Sequence, residues 1–183
     1  MIVALFGITC VGKTTIGKII SDELHYEFYD LDAELKLYFK DTITNIQNSC
    51  FNQHEYDGKK IEVLKSILTR CGNNSIIAVS PIYYTATYKK PFRTHNVFPI
   101  ELRDLPENIA LRMIETDDED NLIENYVGNY KLDLRDTKYF ISRYKNAFSW
   151  IETKYEINGK SALDAATDLC ILVSEAAQKR LQG

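Results

Sequence analysis

Apolar positions along the chain alternate between two spacings. Ile2-Val-Ala-Leu-Phe6 is an unbroken apolar run that stops at Gly7, the pattern of a strand buried on both faces. Ile16, Ile19, Ile20 and Leu24 then recur at helical spacing and predict an amphipathic helix over 13–25. A short strand at 26–29 and a helical stretch at 33–39 follow, and the polar residues 41–53 read as irregular or short helix. Ile61, Leu64, Ile67 and Leu68 mark another helix, ended by Gly72-Asn-Asn. Ser75–Ser80 is a second buried strand stopped by Pro81, Val97–Leu102 a third apolar strand, and Pro106–Met113 a helix with proline in its first turn. Residues 117–135 are polar, acidic and weakly periodic, and predict a long mobile segment. A helix at 136–150, a strand at 154–158 and a last helix from Ser161, with Asp164 completing a capping box, close the chain. Strands that alternate with helices in this way specify an α/β protein with a mainly parallel sheet. No repeat or Gly/Ser/Pro-rich linker divides residues 1–183, which read as one domain.

Composition narrows the class without deciding it. The 183 residues are 45% hydrophobic and carry 22 Lys+Arg against 26 Asp+Glu, enough apolar content for a core and a net charge of −4. That balance offers no global attraction to nucleic acid or to anionic membrane. No apolar run reaches the roughly 20 residues that span a bilayer. Cys10, Cys50, Cys71 and Cys170 are scattered, without a C-x-x-C pair, so reduced thiols in a cytoplasmic protein are expected. His25, His54 and His95 are isolated and suggest no metal site.

The chemistry lies in the first turn after the first strand. Gly7-Ile-Thr-Cys-Val-Gly12-Lys13-Thr14 matches G-x-x-x-x-G-K-[ST], the P-loop or Walker A motif, between a buried strand and an amphipathic helix. Gly7 and Gly12 let successive backbone N–H groups turn inward at phosphate oxygens, with Cys10 and Val11 contributing backbone within the loop. The helix beginning near Lys13 adds the positive end of its dipole. Lys13 supplies a cation to the β- and γ-phosphates, and Thr14 offers a hydroxyl to Mg²⁺. MgATP is the nucleotide expected.

Asp30 and Asp32, in Phe28-Tyr-Asp30-Leu-Asp32, fall at the end of the second strand and would face the ligand crevice. Asp30 is the candidate for the metal shell. Asp32 is the candidate to accept the proton of an attacking hydroxyl. The competing reading makes one of them a helix N-cap. Arg135, at the end of the polar segment, is a candidate arginine finger or else a surface partner of Asp133 or Asp136. Arg112 is a candidate nucleotide contact or a helix-surface charge. Tyr83, Tyr84, Tyr88, Lys89, Lys90 and Arg93 form an aromatic and basic cluster, read either as a loop on the core edge or as a ring-binding surface.

With the P-loop followed by Thr15, the F-x-D-x-D stretch at 28–32 and Leu102-Arg-Asp-Leu-Pro-Glu-Asn-Ile-Ala-Leu-Arg112, the chain resembles the shikimate kinase family of P-loop small-molecule kinases. The resemblance implies a three-layer P-loop NTPase fold, a five-stranded parallel sheet flanked by helices. It further implies a lid over ATP, sought here in 117–135, and MgATP-dependent phosphorylation of a small hydroxyl compound held by residues within 31–72. Two departures concern the acceptor. Tyr56-Asp57-Gly58-Lys59-Lys60 lacks the family's substrate-holding arginine, and Ser80-Pro81-Ile82-Tyr83-Tyr84 replaces its Gly-rich turn. Two alternatives stay open: a nucleoside or nucleotide kinase, and a nucleotide-binding regulatory module without acceptor activity.

Overall fold

The computed structural model describes residues 1–84, 89–113, 117, 119, 121, 123 and 129–181. Five strands form one sheet: β1 (Ile2–Phe6), β2 (Glu27–Asp30), β3 (Ser75–Ala78), β4 (Val97–Arg103) and β5 (Thr153–Glu156). Their order is β2-β3-β1-β4-β5, and every pairing is parallel. β1 is central, with Val3 opposite Ile76 on one side and Phe98 on the other. All five of its residues are buried, which is why it reads as a continuous apolar run rather than an alternating one.

Eight helices are described: α1 (Lys13–Leu24), α2 (Leu31–Phe39), α3 (Ile43–Asn48), α4 (Gln53–Arg70), α5 (Lys89–Thr94), α6 (Pro106–Ala110), α7 (Tyr130–Tyr144) and α8 (Ala162–Leu181). α1 packs against α8, β2 and β3, α2 against α4, and α6 against α7. The core runs from Val3 and Leu5 through Ile76, Ile77 and Ile100 to Ile20, Leu64, Ile67 and Leu169 on the helices. This is the P-loop NTPase fold that the resemblance implies. The chain passes from β1 to β2, two places away across β3, whereas β4 lies on the other side of β1. Such a switch point opens a crevice at the carboxyl ends of the strands. Gly7, Ser80 and Asp30 all follow or end strands there.

Several elements depart from the expected bounds. α4 begins at Gln53, eight residues before the first periodic apolar position used to place it, because Asn52 caps it by accepting from Glu55 N. α7 starts at Tyr130, capped by Asn129, so the last part of the polar segment is helical. Much of the remaining lid candidate lies outside the described residues, as does Tyr88 of the aromatic cluster. α5 was not expected from the spacing of its residues. The predicted capping box is present: Asp164 N donates to Ser161 Oγ at 3.1 Å.

Gly17 explains how α1 sits so close to the sheet. A Cβ there would stand 2.7 Å from Phe28 Cε2 and 3.2 Å from Leu5 Cδ1. Alanine would gain about 1 kcal/mol of helix propensity, but overpacking costs about 1–3 kcal/mol. Gly17→Ala is therefore expected to lower the urea midpoint with an unchanged m-value, a net loss of about 1 kcal/mol.

Candidate active site

The P-loop joins β1 to α1 with three residues at positive φ: Gly7 (+143°), Cys10 (+62°) and Gly12 (+112°). Gly7 is required on steric grounds as well, since a Cβ there would meet Leu102 O at 2.7 Å and Val11 Cγ1 at 2.8 Å. Gly12 caps α1 and brings no side chain to its amides. First-turn N–H groups have no intrahelical acceptor, so they remain available to an anion. Thr15 lies on this exposed first turn. Ile8 and Val11 are buried and anchor the loop to the core.

Lys13 folds back over the loop, with Nζ donating to Gly7 O at 3.1 Å and Ile8 O at 2.8 Å. Burial of its ammonium lowers its pKa to about 8, against the opposing pull of Asp32 and Asp30. The cation thus stands poised in the cradle with an incomplete set of negative partners.

Asp30 takes the N-cap place that one of its readings anticipated, and it also faces the P-loop. Its Oδ1 accepts from Asp32 N at 3.0 Å and Ala33 N at 3.2 Å, which makes it the N-cap of α2. Its Oδ2 accepts from Thr14 Oγ1 at 2.6 Å, so the P-loop hydroxyl and this carboxylate meet across the crevice. A hard hydroxyl and a hard carboxylate are donors suited to Mg²⁺, which takes few protein ligands and keeps several waters. Among the described residues no group of three or more His, Cys, Asp or Glu could hold a metal.

Asp32 lies one step deeper. Burial raises its pKa, Lys60 opposes that rise and Asp30 adds to it. Lys60, on α4, is 6% exposed; its Nζ donates to Pro81 O at 2.9 Å and sits 4.2 Å over the Tyr56 ring. Burial lowers its pKa, while Asp32 and Asp57 raise it. Asp57, fully buried, accepts from Tyr83 N at 2.8 Å, Tyr84 N at 3.0 Å and Gln53 Nε2 at 2.7 Å. This carboxylate ties α4 to the segment after β3. Ser80 is buried beside Asp32, near enough for its hydroxyl to draw that carboxyl's pKa down, yet Oγ closes no hydrogen bond of good geometry. A buried hydroxyl in that state costs about 1–3 kcal/mol.

Arg112 reaches the P-loop backbone. Its Nε donates to Cys10 O at 3.3 Å and its Nη2 to Asp104 Oδ2 at 2.7 Å. Asp104 also accepts from Leu105 N, Asn108 Nδ2 and Gly159 N. Burial would raise the Asp104 pKa, but these hydrogen bonds hold it below the ordinary value. Asp104 therefore fixes Arg112 against the P-loop and binds the turn after β5 to the same point.

Arg135 is not brought to the site. It lies on α7, strongly exposed, paired with the neighbouring Asp136 at 2.9 Å. Adjacent side chains on a helix diverge, so this contact is a solvent-facing pair of little energetic weight. α7 also carries Arg143, whose guanidinium lies 5.3 Å over the Tyr83 ring and donates to Tyr139 Oη at 2.8 Å, and the cation that follows α7, Lys145, lines the cavity with Gly7, Ile8, Val11 and Asp104. Tyr83 and Tyr84 form an exposed edge-on pair with centroids 5.2 Å apart, and His54 stands 5.0 Å from Tyr84.

Sequence reading missed Asp57, Asp104, Ser80 and Arg143. The available signal was a charged pair at i and i+3, Asp57 and Lys60, on the α4 face that also carries Tyr56, Ile61, Val63 and Leu64. Charges on a core-facing stripe are seldom buried without partners.

Residues 9–89 match the family model for shikimate kinase. The chain is shikimate kinase-like. Over 164 residues it is 26% identical to a shikimate kinase of Bacillus licheniformis, covering 90% of this chain and 88% of the relative. A shikimate kinase structure from Bacteroides thetaiotaomicron superposes with a TM-score of 0.78 at 13% identity, covering 95% and 98% of the two chains. One from Acinetobacter baumannii, in complex with shikimate, gives 0.74 at 21% identity, covering 96% and 93%. These two structural likenesses are of fold. The sequence likeness to shikimate kinase is thus strongest over residues 9–89, which span the P-loop, Asp30, Asp32 and α4.

Proposed function

We propose that the chain, as one P-loop kinase domain, transfers the γ-phosphoryl group of MgATP to a hydroxyl of a small molecule. What supports this reading most is the 2.6 Å contact of Thr14 Oγ1 with Asp30 Oδ2, two oxygen groups suited to Mg²⁺ on the P-loop and two residues before Asp32. Gly7, Cys10, Val11, Gly12 and Thr15 form the cradle, Lys13 binds the phosphates, and Arg112 flanks the loop on the nucleotide side. Thr14 and Asp30 would hold Mg²⁺, which neutralises phosphate charge when bound.

Phosphoryl transfer asks the protein chiefly for positioning and charge stabilisation. Lys13 exchanges the Gly7 and Ile8 carbonyls for phosphate oxygens. Asp32 accepts the proton of the attacking hydroxyl as its oxygen bonds to phosphorus and the bond to ADP breaks. Four unpaired cysteines suit a reducing, cytoplasmic setting. No described helix is long and apolar enough to cross a membrane.

Purified protein with ATP and Mg²⁺ should release ADP in proportion to an added hydroxyl acceptor. Nucleotide binding with only slow, acceptor-independent hydrolysis across the panel would favour a regulatory module instead.

The pH profile offers a separate check. Lys13 must be charged to bind phosphate, and its pKa in the free protein is about 8. Asp32 must be ionised to accept a proton, and burial raises its pKa. kcat/KM for ATP should therefore fall as pH rises through about 8. At the acid end it should fall at a pH above the usual carboxylate range. Stopped-time assays at saturating acceptor measure both limbs.

A further inference from the structure

The acceptor side of the crevice holds polar groups that nucleotide chemistry does not use. Ser80 stands two residues past β3, 5% exposed, with an Oγ near enough to act on the Asp32 carboxyl but without a hydrogen bond of good geometry. A hydroxyl of that kind can donate and accept, and it lies beside the Asp32 carboxyl. Lys60 faces the same carboxyl from α4, fixed by Pro81 O and carrying three donor hydrogens in all. Asp57 is different. Its two oxygens are already committed to the Tyr83 and Tyr84 amides and to Gln53.

Charge balance then discriminates between classes of acceptor. Asp30, Asp32 and Asp57 are set against Lys13 and Lys60 at this end of the fold. Lys13 faces Asp32 and Asp30 in the free protein, but with nucleotide bound its ammonium turns to the phosphates, which leaves Lys60 as the ammonium facing both Asp32 and Asp57. An acceptor with its own carboxylate would bring a further negative charge to a single ammonium that already serves two. Lys60 also lacks the planar fork that reads a carboxylate bidentately. Arg143, which stacks on Tyr83 and donates to Tyr139, is already engaged. An uncharged polyol meets complementary groups instead: a carboxylate that accepts, an ammonium that donates and a hydroxyl that does either.

We propose that Asp32, Lys60 and Ser80 form a hydroxyl-reading subsite, and that the acceptor is an uncharged polyol with neighbouring hydroxyls. This rests on the kinase reading above. One acceptor hydroxyl gives its proton to Asp32 while its oxygen bonds to the γ-phosphorus. The bond from that phosphorus to the β–γ bridging oxygen breaks, and its electron pair leaves with ADP. Lys60 and Ser80 hold an adjacent hydroxyl and so set which oxygen attacks.

The test is ADP release by the full chain with Mg²⁺ and ATP, using paired probes that differ in one group: glycerol and glycerate, glucitol and gluconate, methyl shikimate and shikimate. The neutral member is expected to show a kcat/KM at least about tenfold above its acid partner, a difference of about 1.4 kcal/mol. Ser80→Ala should raise KM for that acceptor about tenfold with KM for ATP unchanged. A thermal midpoint near the parent's separates this loss of acceptor binding from a loss of folding. Equal or better use of the acids, or an acceptor KM indifferent to Ser80→Ala, overturns the inference while leaving the kinase reading intact. Calorimetric binding of MgATP with no ADP release from either class overturns the kinase reading, and this inference with it.

Discussion

Lys13→Ala is expected to abolish productive nucleotide binding, with kcat/KM for ATP falling on the order of 10³-fold, about 4 kcal/mol. The ammonium is buried and already depressed to about 8 in its pKa, so the protein holds it at a cost that only a strongly negative ligand offsets. Removing it should relieve that cost in the free protein. Only two hydrogen bonds, to Gly7 O and Ile8 O, are lost, both within the loop itself. Calorimetry with MgATP and a urea titration separate the two effects. Affinity should collapse while the urea midpoint stays within error or rises. A variant that binds MgATP as the parent does would remove the P-loop from any account of this protein's function.

Asp32→Asn carries the second-largest expected effect, and it should appear in kcat. A positioned general base contributes roughly 10²–10⁴-fold, and a loose phosphoryl-transfer transition state keeps the effect toward the lower end. We expect kcat to fall on the order of 10²-fold, with KM for ATP little changed. The acid limb of the pH profile should disappear, because the group that titrates there is gone. Asparagine preserves the volume, so packing next to Lys60 is kept. Activity that persists with its acid limb intact would assign that limb to another group.

The sheet and the phosphate cradle were legible because each leaves a local signature. A strand buried on both faces must be apolar throughout, and Ile2–Phe6 shows that directly. The two glycines of the P-loop stand at φ values that other residues rarely adopt. α4 was less legible. Its first half is polar, and Gly58 interrupts it in the open, with nothing within 4 Å of a Cβ built there. Only the Asn52 cap marks its true start.

Arg135 shows why a lone cation resists assignment. Sequence places it at the edge of a polar segment but does not say that the helix begins five residues earlier and turns it toward solvent. Asp57 and Asp104 were hidden for a related reason. Their partners are backbone amides from other parts of the chain, as with Gly159 N on Asp104, and amides have no residue type to recognise. Ser80 was visible only as a departure from a glycine-rich turn. Its significance comes from burial, which spacing alone does not reveal.

The double grip of Asp57 on the Tyr83 and Tyr84 amides has a mechanical consequence. It welds the wall that carries Lys60 to the ledge that carries the tyrosines, so the two travel as a single jaw. Any tightening around a guest must come from the opposite side of the cleft or move that jaw whole. Those two amides should accordingly trade their hydrogens for deuterium in step, at the pace of the rarest opening that pulls the carboxylate away.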